Sequence, residues 1–231
     1  MSFVFAVVCL VFFVGCGGDE VETPRTQAEA EIGEIRRALE VRPEAPLLHF
    51  QLGQTYQQYG FVDSARAAFE RCVERYESFA KAHLQLAQIY YEDGDLERSV
   101  KAYEQTVRFD GDNAVAYNNL GFVYKKLDRL DEAVQAYERA IAADTLFVQA
   151  YNNLGQIFKG WQEDERAIAL FRQAIVLKPD FPEAYVNLAG MYTDQLTDDE
   201  AAVWRLFLEQ FGDDQQYSVY ARNRLQILET P

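Results

Sequence analysis

The sequence predicts an all-α solenoid of stacked helix–turn–helix units. Three observations predict it. The stretch AYNNLGFVYKKLDRLDEAVQAYERA at 116–140 recurs as AYNNLGQIFKGWQEDERAIALFRQA from position 150, an offset of 34 residues. The same period aligns five units, 46–79, 80–113, 114–147, 148–181 and 182–215, without an insertion. Within each unit the apolar residues return at helical spacing in two runs separated by a turn.

The first run of each unit is a helix with one apolar stripe. Leu52, Leu86, Leu120, Leu154 and Leu188 form its central column, and Gly53, Ala87, Gly121, Gly155 and Ala189 the column beside it. His49, His83, Tyr117, Tyr151 and Tyr185 precede the leucine, and Tyr56, Tyr90, Tyr124, Phe158 and Tyr192 follow it. Aromatic, leucine and aromatic at i, i+3 and i+7 lie on one face. The small residue lets a second helix approach. Gly60 and Gly94 fall after the first run, where a left-handed residue ends a helix.

The second run repeats small, aromatic, small. Its columns are Ala65, Ser99, Ala133, Ala167 and Ala201, then Phe69, Tyr103, Tyr137 and Phe171, then Cys72, Thr106, Ala140 and Ala174. Such a pair cannot bury its apolar face alone, so neighbouring units must stack. In the fifth unit Arg205 and Leu208 fall in the last two columns, which implies a rotated helix or a different neighbour. Thr197 and Glu200 suggest a capping box there.

These columns, with Pro179 at the terminal proline position, resemble the tetratricopeptide repeat (TPR) family over residues 46–215. The resemblance implies a right-handed superhelix whose first helices line a concave groove that holds protein segments. Residues 28–45 then contain a second-helix half-repeat, with Ile35 in the Phe69 column and Ala38 in the Cys72 column, serving as an N-terminal cap. Residues 216–231 supply a C-terminal capping helix.

Residues 1–15 are apolar and uncharged, too short to span a bilayer as a mature helix. They read as a signal peptide. The run Phe13-Val14-Gly15-Cys16 resembles the bacterial lipoprotein signal, which implies a diacylglyceryl group on Cys16 and anchorage at the periplasmic face of the outer membrane. An ordinary cleaved signal and an uncleaved anchor are the alternatives. Residues 16–27 hold the lipidated cysteine and a flexible tether of at most roughly 35–40 Å.

Composition narrows the function. With 22 Lys+Arg against 37 Asp+Glu the net charge is −15, which repels nucleic acid and anionic headgroups. Acidity fits a basic partner and fits plain solubility equally. Cys72 reads as a buried thiol at a small-residue position. The two histidines, His49 and His83, stand in an aromatic packing column. No metal-ligand spacing, phosphate loop or nucleophile elbow appears. A non-catalytic protein with no cofactor, metal or small-molecule substrate is expected.

The candidate binding residues lie on the first helices. Gln51, Gln85, Asn119, Asn153 and Asn187 place a carboxamide just before each column leucine. Gln54, Gln88, Phe122 and Gln156 follow three residues on, and Asn118 and Asn152 add two more amides. Each carboxamide offers donor and acceptor, so a row of them can pair with an extended peptide backbone. The ladder resembles that of protein O-glycosyltransferase TPR domains. The alternative is that the amides tie adjacent repeats together. Leu47, Phe50, Leu84, Val115 and Phe122 form an apolar strip that suits an amphipathic helix. Phe50 and Leu84 stand where a two-carboxylate clamp needs polar groups, and Lys81, Lys125 and Lys159 do not complete one.

The expected function is therefore a protein-binding scaffold at the bacterial cell envelope, taking an extended peptide or a helix in its groove. The alternatives are a structural protein that self-assembles through its fifth unit, or a pilotin or outer-membrane assembly lipoprotein.

Overall fold

The structure, a computed structural model, describes residues 24–192, 198–212 and 217–229. The signal, Cys16 and Thr197 lie outside the described residues. The described residues form twelve α-helices and no strand. The first helix, α1 (Pro24–Val41), takes in residues 24–27, which the sequence assigned to the tether. Five helix pairs follow: α2 (Pro46–Gln58) with α3 (Val62–Arg75), α4 (Ala80–Glu92) with α5 (Leu96–Phe109), and α6 (Ala114–Lys126) with α7 (Leu130–Ala143). Then come α8 (Val148–Gly160) with α9 (Asp164–Leu177), α10 (Pro182–Ala189) with α11 (Asp198–Phe211), and finally α12 (Ser218–Leu228).

Each first helix packs on the second helix of its own unit, and each second helix packs on the next first helix. The consecutive first helices α6, α8 and α10 also touch one another in turn, so this layer is the inner side of the superhelix. Starts and stops are local. Asp95 accepts a bond from the Arg98 amide and Asn113 from the Ala116 amide, capping α5 and α6. After the first helix the chain takes a left-handed residue in four units: Gly60 (φ 78°), Gly94 (φ 80°), Asp128 (φ 60°) and Gln162 (φ 62°).

The small column is the closest crossing. A Cβ on Gly121 would stand 2.8 Å from Tyr137 Cε1, and one on Gly155 2.7 Å from Phe171 Cε1. The aromatic ring of the second helix thus lies directly against the backbone of the first. Two polar residues at packing positions bond within the core: Ser99 Oγ donates to the Ala87 carbonyl (2.8 Å) and Thr106 Oγ1 to the Ala102 carbonyl (2.9 Å).

Two side-chain bonds recur with the repeat. The His/Tyr column reaches back six residues to the inter-repeat loop. His49 and His83 Nε2 bond the Pro43 and Glu77 carbonyls at 2.7 Å, and Tyr151 and Tyr185 donate to the Thr145 and Pro179 carbonyls at 3.1 Å. A carbonyl only accepts, so both histidines carry a proton on Nε2. The following aromatic column bonds a residue twenty positions earlier: Tyr90 to Glu70, Tyr124 to Glu104, and Tyr56 and Tyr192 from Arg36 and Arg172. The Arg36 bond gives α1 the role of a second helix.

The fifth unit is turned by one residue. Trp204 and Phe207 are fully buried, while Arg205, which the 34-residue frame puts in the aromatic column, is exposed and donates to Glu229. Shifting the buried set by one residue rotates an α-helix by about 100°. Glu200, whose expected capping partner Thr197 lies outside the described residues, is fully buried and bound by Arg224. Ser218 Oγ donates to the Gly212 carbonyl (2.8 Å), so α12 repeats the six-residue bond of a first helix.

Candidate functional site

The carboxamides divide into two groups. Asn118 and Asn152 are buried. Asn153 Nδ2 donates to Asn118 Oδ1 (3.0 Å), and Asn187 Nδ2 donates to Asn152 Oδ1 (2.7 Å). These bonds run between consecutive first helices, so this part of the row ties repeats together. Asn118 Nδ2 also donates to its neighbour Asn119 Oδ1 at 3.3 Å. Gln156 Oε1 accepts from Lys125 Nζ at 2.7 Å, again across one repeat.

The other carboxamides face solvent to different degrees. Gln51 and Gln54 on α2 are exposed. Gln85 and Gln88 on α4, Asn119 on α6, Asn153 and Gln156 on α8 and Asn187 on α10 are half-buried. Asn153 and Asn187 each spend one N–H and keep a carbonyl oxygen, a second N–H and a backbone-like geometry for a peptide.

A recess of about 480 Å³ opens between α4 and α6. Gln88, Tyr91, Glu92, Tyr103, Asn118, Asn119, Phe122 and Val123 line it. Tyr91 and Phe122 meet edge to face with ring centroids 5.7 Å apart. Lys126 Nζ stands 5.4 Å from the Phe122 ring centre. Burial raises the Tyr103 phenol to about 12, against a smaller opposing effect of its bond with Asn119. Burial, and then Lys126, hold the Lys125 ammonium below its ordinary value. The sequence had named Gln88, Asn119 and Phe122. It missed Tyr91 and Glu92, which belong to columns of mixed residues, and it read Tyr103 only as a packing residue of the aromatic column; stacking brings the three together.

The N-terminal apolar strip is only partly open. Leu47 and Val115 are exposed, Leu84 and Phe122 are half-buried, and Phe50 is buried against Phe69 and Phe79 at centroid distances of 5.6 and 5.0 Å. Among the described residues no group of three or more His, Cys, Asp or Glu could hold a metal ion. Cys72 is a buried free thiol, raised to about 11 by burial.

A solenoid of helix pairs with an inner row of amides and aromatics is an interaction scaffold. The chain carries tetratricopeptide repeats: a TPR repeat model matches residues 87–128, and tetratricopeptide repeat models match 114–144, 47–79 and 148–181. Among solved structures it is similar to YrrB, described as a TPR protein with an unusual peptide-binding site, at 16% identity over 82% of this chain and 97% of that one, TM-score 0.68. It is similar to MamA at 24% identity over 76% of this chain and 94% of that one, TM-score 0.67. It is similar to Pseudomonas aeruginosa pilF at 22% identity over 85% of this chain and 90% of that one, TM-score 0.62. At these identities the likeness shows the fold. No curated protein matches the chain.

Proposed function

We propose that this protein is a non-catalytic scaffold that holds a segment of another protein against its first helices. The observation that supports this best is the recess between α4 and α6, where three aromatic rings and three amides converge. Amides satisfy a peptide backbone and the rings accept a side chain, a common division of labour in peptide recognition. The peptide-binding description of the similarly folded YrrB agrees with it. The proposed setting is the bacterial cell envelope, with a lipid on Cys16 holding the domain at the periplasmic face of the outer membrane.

Site-directed photocrosslinking in cells tests the groove. A benzoylphenylalanine at Gln88 should yield a discrete crosslinked species that the same probe at Glu138, exposed on the second-helix layer, does not. Identical bands from both sites, or none from Gln88, would sink the groove reading.

A further inference from the structure

The recess between α4 and α6 also has a charge preference. Glu92 is the one charged residue lining it, and Glu92 has no ion-pair partner among the described residues. Glu92 is the exposed last residue of α4 and shares the lining of the recess with Tyr91. Phe122 already accepts one cation, since Lys126 Nζ lies 5.4 Å from its ring centre. Tyr91 meets Phe122 edge to face, so the recess presents an aromatic wall next to an unneutralised carboxylate. Aromatic faces attract cations through their quadrupole, and a carboxylate accepts a guanidinium through paired hydrogen bonds. Gln88 and Asn119 add amide oxygens at the same place, which also accept from N–H donors.

We propose, resting on the groove function above, that the bound segment inserts an arginine side chain into this recess. The guanidinium stacks on Tyr91 and pairs with Glu92, while its remaining N–H groups find the amides. Arginine fits better than lysine because its planar fork can stack and bond at once. The net charge of −15 favours the approach of such a segment. Lys125 and Lys126 set a boundary, because a second basic residue toward the C-terminal end of α6 would meet them.

The test uses the full chain in non-ionic detergent and a fluorescein-labelled Gly/Ser peptide carrying arginines, read by anisotropy. A matched peptide has citrulline in place of arginine, which keeps the shape and removes the charge. The arginine peptide should bind about ten-fold tighter or more. Glu92→Gln should erase that difference, and Tyr91→Leu should reduce it. Glu138→Gln removes the same charge from an exposed site outside the recess and should leave the preference intact. An equal loss in Glu92→Gln and Glu138→Gln would show a general field effect and overturn the proposal, as would equal binding of the two peptides. If Gln88 photocrosslinks a segment while the arginine preference is absent, this inference fails alone. If Gln88 captures nothing, the groove function fails with it.

Discussion

Arg224 on α12 grips Glu200 on α11 with two parallel bonds, Nε to Oε1 at 2.7 Å and Nη2 to Oε2 at 2.8 Å. Glu200 is fully buried, and Arg224 is partly buried with 16% of its side chain exposed. Trp204 Nε1 donates to the same carboxylate at 3.2 Å. Removing one member of a buried ion pair leaves the other uncompensated. Arg224→Ala should therefore cost about 3–5 kcal/mol, whereas the double change Glu200→Leu with Arg224→Met should cost far less. Urea unfolding followed by circular dichroism measures both. An Arg224→Ala cost below about 1 kcal/mol would mean the pair does not pin the C-terminal helices.

Gly121 lies under the Tyr137 ring, with no room for a methyl group. Gly121→Ala should overpack the third unit and cost about 1–3 kcal/mol. Gly33, where a Cβ would meet nothing within 4 Å, is the control, and Gly33→Ala should be neutral or stabilising. Thermal unfolding of the two variants gives the comparison.

Gln162 holds φ 62° at the turn position that Gly60 and Gly94 occupy in the first two units. A left-handed side chain costs roughly 1–2 kcal/mol that glycine avoids. Gln162→Gly should raise the unfolding free energy by up to about 1 kcal/mol after the entropy of the unfolded glycine is set against it. A loss of stability would show that the Gln162 side chain makes a contribution larger than its backbone strain.

Stability should be lost at both pH extremes, for reasons that can be assigned. Cys72 is raised from 9.0 to about 11 and Tyr103 from 10.0 to about 12, both chiefly by burial. The folded state thus favours the neutral acids. Their contribution is complete below pH 9 and is lost as pH rises through the window from 9 to about 12. His83 is lowered from 6.5 by burial, so its contribution is present above that pH and is lost as pH falls below it. Cys72→Ala and His83→Phe should flatten the alkaline and acidic limbs respectively in a series of urea titrations.

Cys16→Ser should release the protein from the membrane pellet into the soluble fraction of the envelope. Continued sedimentation of the variant with membranes would exclude a lipid at this residue as the anchor.

The repeat made most of the helices legible, because each column residue serves the same contact in each unit. Gly53, Gly121 and Gly155 announce close crossings, and the ring that fills each one follows at a constant distance along the chain. The candidate site was less legible. Asn118 and Asn119 are neighbours of one residue type and both line the recess, yet Asn118 is buried in a bond from Asn153 while Asn119 stays half-buried. Glu92 and Tyr91 carried no signal, because their columns change character from unit to unit.

The sequence by itself determined the solenoid: a 34-residue period of apolar stripes can be buried only by stacking one unit on the next. Tertiary structure alone decided which amides were spent on that stacking. The bonds Asn153 to Asn118 and Asn187 to Asn152 join residues 35 positions apart and depend on how far one first helix stands from the next. It also decided the end of the array. A one-residue slip turns the fifth second helix by about 100°, exposes Arg205, and buries Trp204, Phe207 and the Glu200 carboxylate that Arg224 then holds. Periodicity specifies what repeats, and these departures arise where the packing of particular neighbours overrules it.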